Sequence, residues 1–358
     1  MKHNSYFQDN PKASWISIKR VFYPSAAKRM LVSLLPKAVI RYVIQLAIPL
    51  IILSCSQDTH PLTTTYYHWQ TELDPDTTAR QLLRGSDRLY VKAFDVIWED
   101  GQAAPTAEIQ LVDTVGLPQL IPVIFITNEV IRRTSSDQFS ALATDLSALT
   151  ERLLPAGYPE IQLDGDWTAR TQVPYFDLLE AMKRVNPGRK ITCTIRLHQY
   201  RDRKEQGIPP VDRATLMAYN TGDVADWETE NSIIDTNALN NYLAGQPAYP
   251  VPLDVAVAVY DWAAIYRRGK LVQLVNEPDL GVVGDTLLYT QLPGTRVRAK
   301  KAHYLNGVYI YQDDLIRHEI AGPERVKEEA ARLQKYVGGF PGQRLMIYRL
   351  GSRLHVPN

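Results

Sequence analysis

The chain has 358 residues, of which 45% are hydrophobic and 22% are charged. This composition is typical of a globular protein with a full hydrophobic core and excludes an intrinsically disordered chain. The chain has 40 lysines and arginines and 39 aspartates and glutamates, so its formal net charge is +1. Such a balance offers no concentrated basic charge, and we therefore expect no nucleic-acid partner.

The N-terminal part of the chain carries the features of an export signal. An apolar stretch runs over residues 42–53 and is preceded by Lys37 and Arg41. Its length suits the hydrophobic region of a signal peptide and is short for a membrane span. The Leu-Ser-Cys triplet that ends at Cys55 resembles the lipobox of bacterial lipoproteins, in which the cysteine is acylated after cleavage.

The sequence therefore predicts a leader over residues 1–55, with Met30 as a candidate start of translation. Residues 56–65 are polar and are predicted to form a tether, followed by a single domain over 66–358. The lipobox resemblance implies a cell-envelope protein anchored to a membrane, by preference the outer membrane, through lipid on Cys55. An uncleaved anchor or a buried helix with a chance cysteine is the alternative.

Short strand-like runs alternate with helical or loop segments in the rest of the chain, which is the pattern of a parallel sheet with crossover helices. Seven or eight such units and no glycine-rich nucleotide loop favour a (β/α)8 TIM barrel over an open doubly wound sheet. Residues 278–304 fit neither strand nor helix and are predicted to be an irregular insertion.

The predicted strands and helices can be given by residue number. Seven strands are expected over 66–73, 89–98, 121–130, 160–167, 190–199, 214–220 and 253–262. The eighth is either 307–312 or 344–350. Helices are expected over 138–154, 175–185, 232–243 and 323–337.

In such barrels the functional residues lie at the carboxyl ends of the strands. Because side chains alternate along a strand, Asp164 and Asp166 of the fourth strand should face the barrel interior, and Arg196 and His198 of the fifth should do the same. Adjacent carboxylates raise the pKa of at least one of the two acids, which suits proton transfer. A buried network that neutralises Asp164 through Arg196 or Lys92 is the alternative.

Other residues at the predicted strand ends complete the candidate site. Trp167 directly follows an acid, and an acid beside an aromatic ring suits a sugar subsite. Trp262 is either a core aromatic or a platform for a sugar ring, as are Tyr260 and Trp69. The remaining candidates for substrate binding are Gln199, Asn220, Glu129 and Asp261.

Two of these strand ends resemble motifs of the chitinase-like glycoside hydrolases of family 18. That family carries D-x-x-D-x-D-x-E after barrel strand four and Met-x-Tyr-Asp/Asn after strand six. Here the corresponding segments read IQLDGDWT over 161–168 and MAYN over 217–220. The resemblance implies that Asp164 and Asp166 match the second and third acids, and that Tyr219 matches the tyrosine that holds the substrate's acetamido group.

The chain departs from the family motif at two positions. The catalytic glutamate falls on Thr168, which cannot protonate a leaving oxygen, and the first aspartate falls on Ile161. The chain also resembles a set of Bacteroidetes-type lipoproteins that share Q-x-D-x-D-W-T, T-I-R-L-H-Q, P-P-V-D and L-M-x-Y-N. That second resemblance implies no activity.

Three functional hypotheses follow. The first is a glycoside hydrolase-like lipoprotein that acts on an envelope or extracellular glycan, with Asp166 as acid or stabiliser, Asp164 as its pKa partner and Tyr219 as a positioning group. The second is a non-catalytic glycan-binding lipoprotein on a degenerate hydrolase barrel. The third is a structural envelope protein whose barrel mouth is plugged by its own loops. The expected partners are a carbohydrate and, through Cys55, a membrane; no cofactor or metal site is predicted, because the seven histidines lack metal-ligand spacing.

Overall fold

The structure is a computed structural model that describes residues 62–354. The predictions for the leader and for Cys55 lie outside the described residues. The first strand begins at Thr63, so the predicted tether over 56–65 reaches no further than residue 62. Within 62–354, no helix combines the length and the apolarity that a bilayer crossing requires.

The elements are numbered here in chain order. The strands are β1 (Thr63–His68), β2 (Glu72–Leu73), β3 (Arg88–Glu99), β4 (Gln102–Thr106), β5 (Gln110–Leu111), β6 (Gln119–Ile126), β7 (Glu160–Gly165), β8 (Lys190–Arg196), β9 (Arg213–Met217), β10 (Leu253–Ala258), β11 (Tyr260–Arg267), β12 (Lys270–Asn276), β13 (Tyr289–Gln291), β14 (Arg296–Ala299), β15 (His303–Leu305), β16 (Val308–Ile310), β17 (Leu315–Ala321) and β18 (Arg344–Tyr348). The helices are α1 (Thr77–Leu83), α2 (Asn128–Arg133), α3 (Phe139–Leu153), α4 (Gln172–Val185), α5 (Leu197–Arg201), α6 (Arg203–Gln206), α7 (Thr236–Leu243), α8 (Leu280–Val283) and α9 (Pro323–Val337).

The largest sheet closes into a barrel. Its nine strands comprise β4, which pairs antiparallel with β3 on the outside, and eight parallel strands in the order β1, β3, β6, β7, β8, β9, β10 and β18. Strand β18 pairs with β1, which completes the circle. The predicted (β/α)8 TIM barrel is therefore confirmed. The eighth strand lies within 344–350, and the alternative over 307–312 is wrong because β16 pairs only with β15 in a small hairpin.

The predicted strands are mostly right in place but too long at their carboxyl ends. The run predicted over 121–130 ends at Ile126, and α2 begins two residues later. The run predicted over 190–199 ends at Arg196, and Leu197 already belongs to α5. The run predicted over 253–262 divides into the whole of barrel strand β10 and the start of β11. In each of these three cases the polar residues lie beyond the end of the barrel strand.

The interior of the barrel is filled by hydrogen-bonded side chains. Ile161 and Leu163 of β7 pack outward in the main hydrophobic core beneath the helices. Between them Gln162 points inward, where its Oε1 accepts a hydrogen bond from the Tyr67 hydroxyl at 2.6 Å and its Nε2 donates to Thr215 Oγ1 at 3.1 Å. The alternation predicted for this strand is therefore confirmed, and it fixes which side chains reach the barrel mouth.

A second sheet is formed by the part of the chain between β10 and α9. Five antiparallel strands form it in the order β12, β11, β17, β14 and β13, over a core of their own buried side chains. The sequence predicted an insertion only over 278–304, but the sheet uses residues from Tyr260 to Ala321. We call residues 260–321 the insertion.

Buried charge joins the insertion to the loop after β9. Arg317 of β17 is fully buried and donates from Nε to Glu319 Oε1 at 2.7 Å. Its Nη1 donates to the backbone carbonyl oxygens of Asp226 and Trp227 at 2.6 and 3.0 Å. Glu319 also accepts from the Ser232 backbone N–H at 2.5 Å. These bonds hold the loop against the insertion at the edge of the barrel mouth.

Candidate functional site

A cavity of about 350 Å³ opens at the carboxyl ends of the barrel strands. Barrel residues form one side of it, and the insertion contributes Trp262, Asn276 and Glu277 to the other. The hypothesis of a structural protein predicts a mouth filled by loops. The residues from 62 to 354 leave the mouth open instead, so that hypothesis is wrong on this point.

One part of the cavity is lined by aromatic rings, which we call the aromatic wall. Tyr348, the last residue of β18, lies at its centre. Its ring stacks on Tyr219 with centroids 5.3 Å apart and an interplanar angle of 11°. Trp69 and Tyr260 meet the same ring edge-on at 5.8 and 6.0 Å. Three barrel strands and the insertion therefore place their aromatic side chains together, and the predicted position of Tyr219 at the site is supported by its lining of the cavity.

Asp164 lies at the bottom of the cavity. Its side chain extends inward from β7, is 3% exposed, and accepts a hydrogen bond from Thr194 Oγ1 at 2.6 Å. Burial raises the pKa of Asp164 to about 6, although the charge of Arg196 and the Thr194 hydrogen bond oppose that rise. The carboxyl group can therefore gain or lose a proton close to neutral pH.

Asp166 follows β7 and lies at the surface rather than in the cavity. Its two carboxylate oxygens accept from Arg196 Nε at 2.6 Å and from Arg196 Nη2 at 3.0 Å. Burial lowers the pKa of Arg196, but bonding to Asp166 outweighs burial and holds that pKa above its usual value. Arg196 lines the cavity, as predicted for a substrate-binding residue, whereas Asp166 does not.

His198 and Gln199 belong to α5, and neither lines the cavity. Burial lowers the pKa of His198, an effect that the charge of Asp166 opposes. Gln199 is fully buried and joins two strand ends: it accepts from the Arg196 backbone N–H and donates to the Trp167 carbonyl oxygen, both at 2.7 Å. The predicted inward position of His198 and the predicted substrate contact of Gln199 are wrong, because the strand ends before either residue.

Trp167 and Glu129 are also wrong as site residues. Trp167 is fully buried, its ring stacks on Tyr175 with centroids 5.1 Å apart, and its Nε1 donates to the Gln206 carbonyl oxygen at 2.9 Å. It is therefore a core aromatic. Glu129 lies in the first turn of α2, outside the cavity, and forms an ion pair with Arg133 Nε at 2.9 Å.

Asn220, Asp261 and Trp262 all line the cavity, as predicted. The Oδ1 of Asn220 accepts from the Tyr260 hydroxyl, which leaves its amide N–H groups as donors. Trp262 is 9% exposed, and its indole N–H has no hydrogen-bond partner among the described residues. Asn220 therefore presents donors to a ligand, whereas the Trp262 N–H is buried.

Asp261 lines the cavity, but its carboxylate already has a histidine and an arginine as partners. His318 Nε2 lies 2.8 Å from one carboxylate oxygen, and the Arg353 guanidinium pairs with the same carboxylate. Burial raises the pKa of Asp261, but these hydrogen bonds outweigh burial and hold it below its usual value. The group stays ionised near neutral pH and is unsuited to donating a proton.

Sequence reasoning missed five residues that line the cavity, which are Phe125, Asn276, Glu277, Tyr348 and Arg349. Tyr348 was missed because two segments competed as the eighth strand. Asn276 ends β12 and Glu277 follows it, and the sequence did not reveal the antiparallel pairing of β12 with β11. Glu277 Oε1 accepts from Arg349 Nη2 at 3.0 Å. Among residues 62–354, no three His, Cys, Asp or Glu side chains lie close enough together to hold a metal ion.

Comparison with known proteins places this fold among solved TIM barrels. The spore cortex-lytic enzyme SleL of Bacillus cereus is similar with a TM-score of 0.50 and 14% identity, over 83% of this chain and 72% of that one. A chitinase of Chromobacterium violaceum is similar with a TM-score of 0.46 and 12% identity, over 81% of this chain and 95% of that one. The putative sporulation-specific glycosylase ydhD of Bacillus subtilis is similar with a TM-score of 0.45 and 12% identity, over 70% of this chain and 89% of that one. No family model and no curated protein sequence matches the chain. At these identities the likeness shows the fold alone.

The raised pKa of Asp164 predicts a pH dependence of stability. In the folded protein Asp164 ionises near pH 6, but in the unfolded chain it ionises near its ordinary value of 3.8. Because the folded state holds the proton more tightly, this contribution to the free energy of unfolding is present below about pH 4 and is lost as the pH rises to about 6. A difference of about two pKa units corresponds to on the order of 3 kcal/mol.

The measurement is urea unfolding of the parent and of Asp164→Asn between pH 3.5 and 7.5. The parent should lose stability relative to the variant across the window from about pH 4 to 6 and remain level above it. Glu180→Gln, on the exposed side of α4, is the control and should track the parent at every pH. A constant difference between parent and Asp164→Asn would contradict the assignment.

Proposed function

We propose that the cavity at the barrel mouth binds a glycan. The observation that carries this proposal is the aromatic wall of Trp69, Tyr219, Tyr348 and Tyr260 beside hydrogen-bonding groups. Sugar rings have an apolar face that packs on aromatic rings and hydroxyl groups that require hydrogen-bond partners. A cavity of about 350 Å³ falls within the usual size of small-molecule sites and would hold part of a longer glycan.

The polar groups of the cavity fit the same ligand class. Asn220 is exposed at the cavity, and its amide N–H groups are available as donors to the hydroxyl groups of a sugar. The fold shared with the cortex-lytic enzyme SleL is consistent with this proposal. Fold alone does not decide function, so the contents of the cavity carry the argument.

Hydrolysis of the bound glycan is the second candidate, and Asp164 is the observation that favours it. A carboxyl group with a pKa of about 6 can donate a proton to a leaving oxygen at neutral pH. Asp166 would then act through Arg196 as an electrostatic stabiliser. The position of the family's catalytic glutamate holds Thr168, which is exposed and hydrogen-bonds Thr171, so no acid is available there.

Glycan binding is tested on an array of chito-oligosaccharides, peptidoglycan fragments and neutral glucans, followed by calorimetry with the ligand found. Trp69→Ala should weaken binding by about tenfold or more, roughly 1.4 kcal/mol, because the ring would no longer cover the apolar face of a sugar. Tyr336→Ala, at an exposed site on α9, should bind like the parent. Equal affinities of the parent and Trp69→Ala would show that the glycan is held elsewhere.

Hydrolysis is tested by following new reducing ends released from that same glycan. Asp164→Asn should lower kcat by about 100-fold or more, the usual contribution of a positioned acid, while the dissociation constant for the glycan stays close to that of the parent. Asp166→Asn should lower kcat less, because Asp166 does not contact the cavity. Absence of turnover in the parent would exclude hydrolysis and leave glycan binding as the function.

We further propose that the mature protein is a lipoprotein of the cell envelope, held at the outer membrane by lipid on Cys55. The apolar stretch over 42–53 and the lipobox-like triplet support this. In a Gram-negative host, the parent should incorporate labelled palmitate and sediment with membranes, and Cys55→Ala should do neither. Cys193→Ala, at the only other cysteine, should behave like the parent. An unlabelled parent would contradict the anchor.

A further inference from the structure

Three exposed tyrosines form a single line on the β15–β16 hairpin of the insertion, which we call the tyrosine row. Tyr304, Tyr309 and Tyr311 are 66%, 43% and 51% exposed. The ring centroids of Tyr304 and Tyr309 lie 5.1 Å apart, and those of Tyr309 and Tyr311 lie 4.8 Å apart. None of the three lines the cavity at the barrel mouth. The row is thus a second aromatic surface.

The hairpin is built so that these rings face outward. Tyr304 and Tyr309 are directly opposed in the pairing of β15 with β16, so they share one face. The alternate positions, Leu305 and Ile310, are fully buried in the core of the insertion. The inner face therefore anchors the hairpin, and the tyrosines are not needed to fill that core.

One end of the row is fixed by a buried acid. Asp314 is 1% exposed and accepts from Arg267 Nε and Nη2 at 2.9 and 2.7 Å. The same carboxylate accepts from the Tyr311 backbone N–H at 2.9 Å. The Arg267 guanidinium then lies over the Tyr311 ring, 4.0 Å from its centroid. Ring and cation are held in place before any ligand arrives.

Positive charge flanks both ends of the row. Arg268 and Lys270 are exposed and belong to the turn that follows Arg267. Lys300 and Lys301 are exposed and precede the first tyrosine of the row by a few residues. Two exposed acids lie beside the same hairpin, Asp313 next to Tyr311 in sequence and Asp279, whose backbone N–H donates to Asn306 Oδ1 at the hairpin turn, so the four cations outnumber them. Such a surface attracts a ligand that carries negative charge along its length.

The size of the row favours a polymer chain over a folded protein as its ligand. An aromatic side chain offers roughly 150–250 Å², so three half-exposed rings offer on the order of 300 Å². A stable protein interface buries about 800 Å² on each partner. A row one ring wide suits a polymer of similar width, and its edge-to-face rings present both apolar faces and hydroxyl groups.

We propose that the tyrosine row binds an acidic polysaccharide, with sugar rings packed on the tyrosines and carboxylates paired with the flanking cations. This surface is separate from the cavity and does not depend on the function proposed for it. It would hold the protein on a charged polymer while the cavity engages its own ligand.

The test is affinity electrophoresis of the full chain in detergent, in gels that contain polygalacturonate, neutral dextran or no polymer. Polygalacturonate should retard the parent, dextran should not, and added salt should weaken the effect. The double variant Tyr304→Ala/Tyr309→Ala should bind polygalacturonate about tenfold more weakly. Tyr309→Phe, which keeps the ring, and Tyr336→Ala, on α9, should bind like the parent.

Three results would overturn the proposal. The first is a parent that polygalacturonate does not retard. The second is a double variant that polygalacturonate retards as strongly as the parent. The third comes from vesicles of phosphatidylglycerol: if the double variant loses vesicle binding but keeps polygalacturonate binding, the row contacts a lipid surface instead. Because the rings lie outside the core, the melting temperatures of the parent and the variants should agree. If the double variant melts lower, Tyr304→Ala alone, at the most exposed ring, should still weaken polygalacturonate binding.

Discussion

The pairing of β18 with β1 is the contact on which the site depends. It closes the barrel and places the last strand beside the first, so that Tyr348 pairs in register with Tyr67. Closure brings Trp69, which follows β1, against Tyr348, whereas Tyr348 reaches Tyr219, which follows β9, across the neighbouring strand β10. An open sheet would leave Trp69 and Tyr348 on opposite edges. The aromatic wall is thus a consequence of topology, and the hydrogen-bonded interior layer of Gln162 supports it from below.

The second constraint is the cost of burying charge. Several acids around the mouth have arginine partners, and a carboxylate in such an ion pair is occupied by that contact. The ion pairs concerned are Asp166 with Arg196, Asp261 with Arg353, and Glu277 with Arg349. Asp164 differs, because it is buried and its direct hydrogen bond comes from the neutral hydroxyl of Thr194. Burial raises its pKa to about 6, so Asp164 is the acid on which the proposed hydrolysis would depend.

Much of the barrel could be predicted from the sequence because its signals are local. Alternation of apolar and polar residues in β7 revealed that Asp164 faces inward, and helical spacing predicted α9 with both of its ends. The errors concentrate where the chain changes direction. A strand that ends three residues early turns His198 and Gln199 away from the expected face, and periodicity does not show that end.

The rest of the site depends on contacts between distant parts of the chain. The sheet of the insertion depends on pairings between strands that are tens of residues apart in the chain, as β11 is from β17 and β12 joins the sheet only through β11. No motif in the sequence predicts such pairing. Trp167 was misjudged for a related reason: an aromatic residue after an acid fits a sugar subsite and a core equally well, and only the packing of α4 beneath it shows that it belongs to the core.

The buried Arg317 has a consequence for how a ligand enters. Moving the insertion away from the loop after β9 would strip this guanidinium of the carbonyl oxygens of Asp226 and Trp227, and Glu319 of its hydrogen bonds from Ser232, although the Arg317–Glu319 pair itself lies within β17. A buried polar group left without a partner costs about 1–3 kcal/mol, so these bonds resist a widening of the mouth. A ligand of the kind proposed for the cavity would therefore meet an opening that is already formed, and the protein would lose little conformational entropy on binding it.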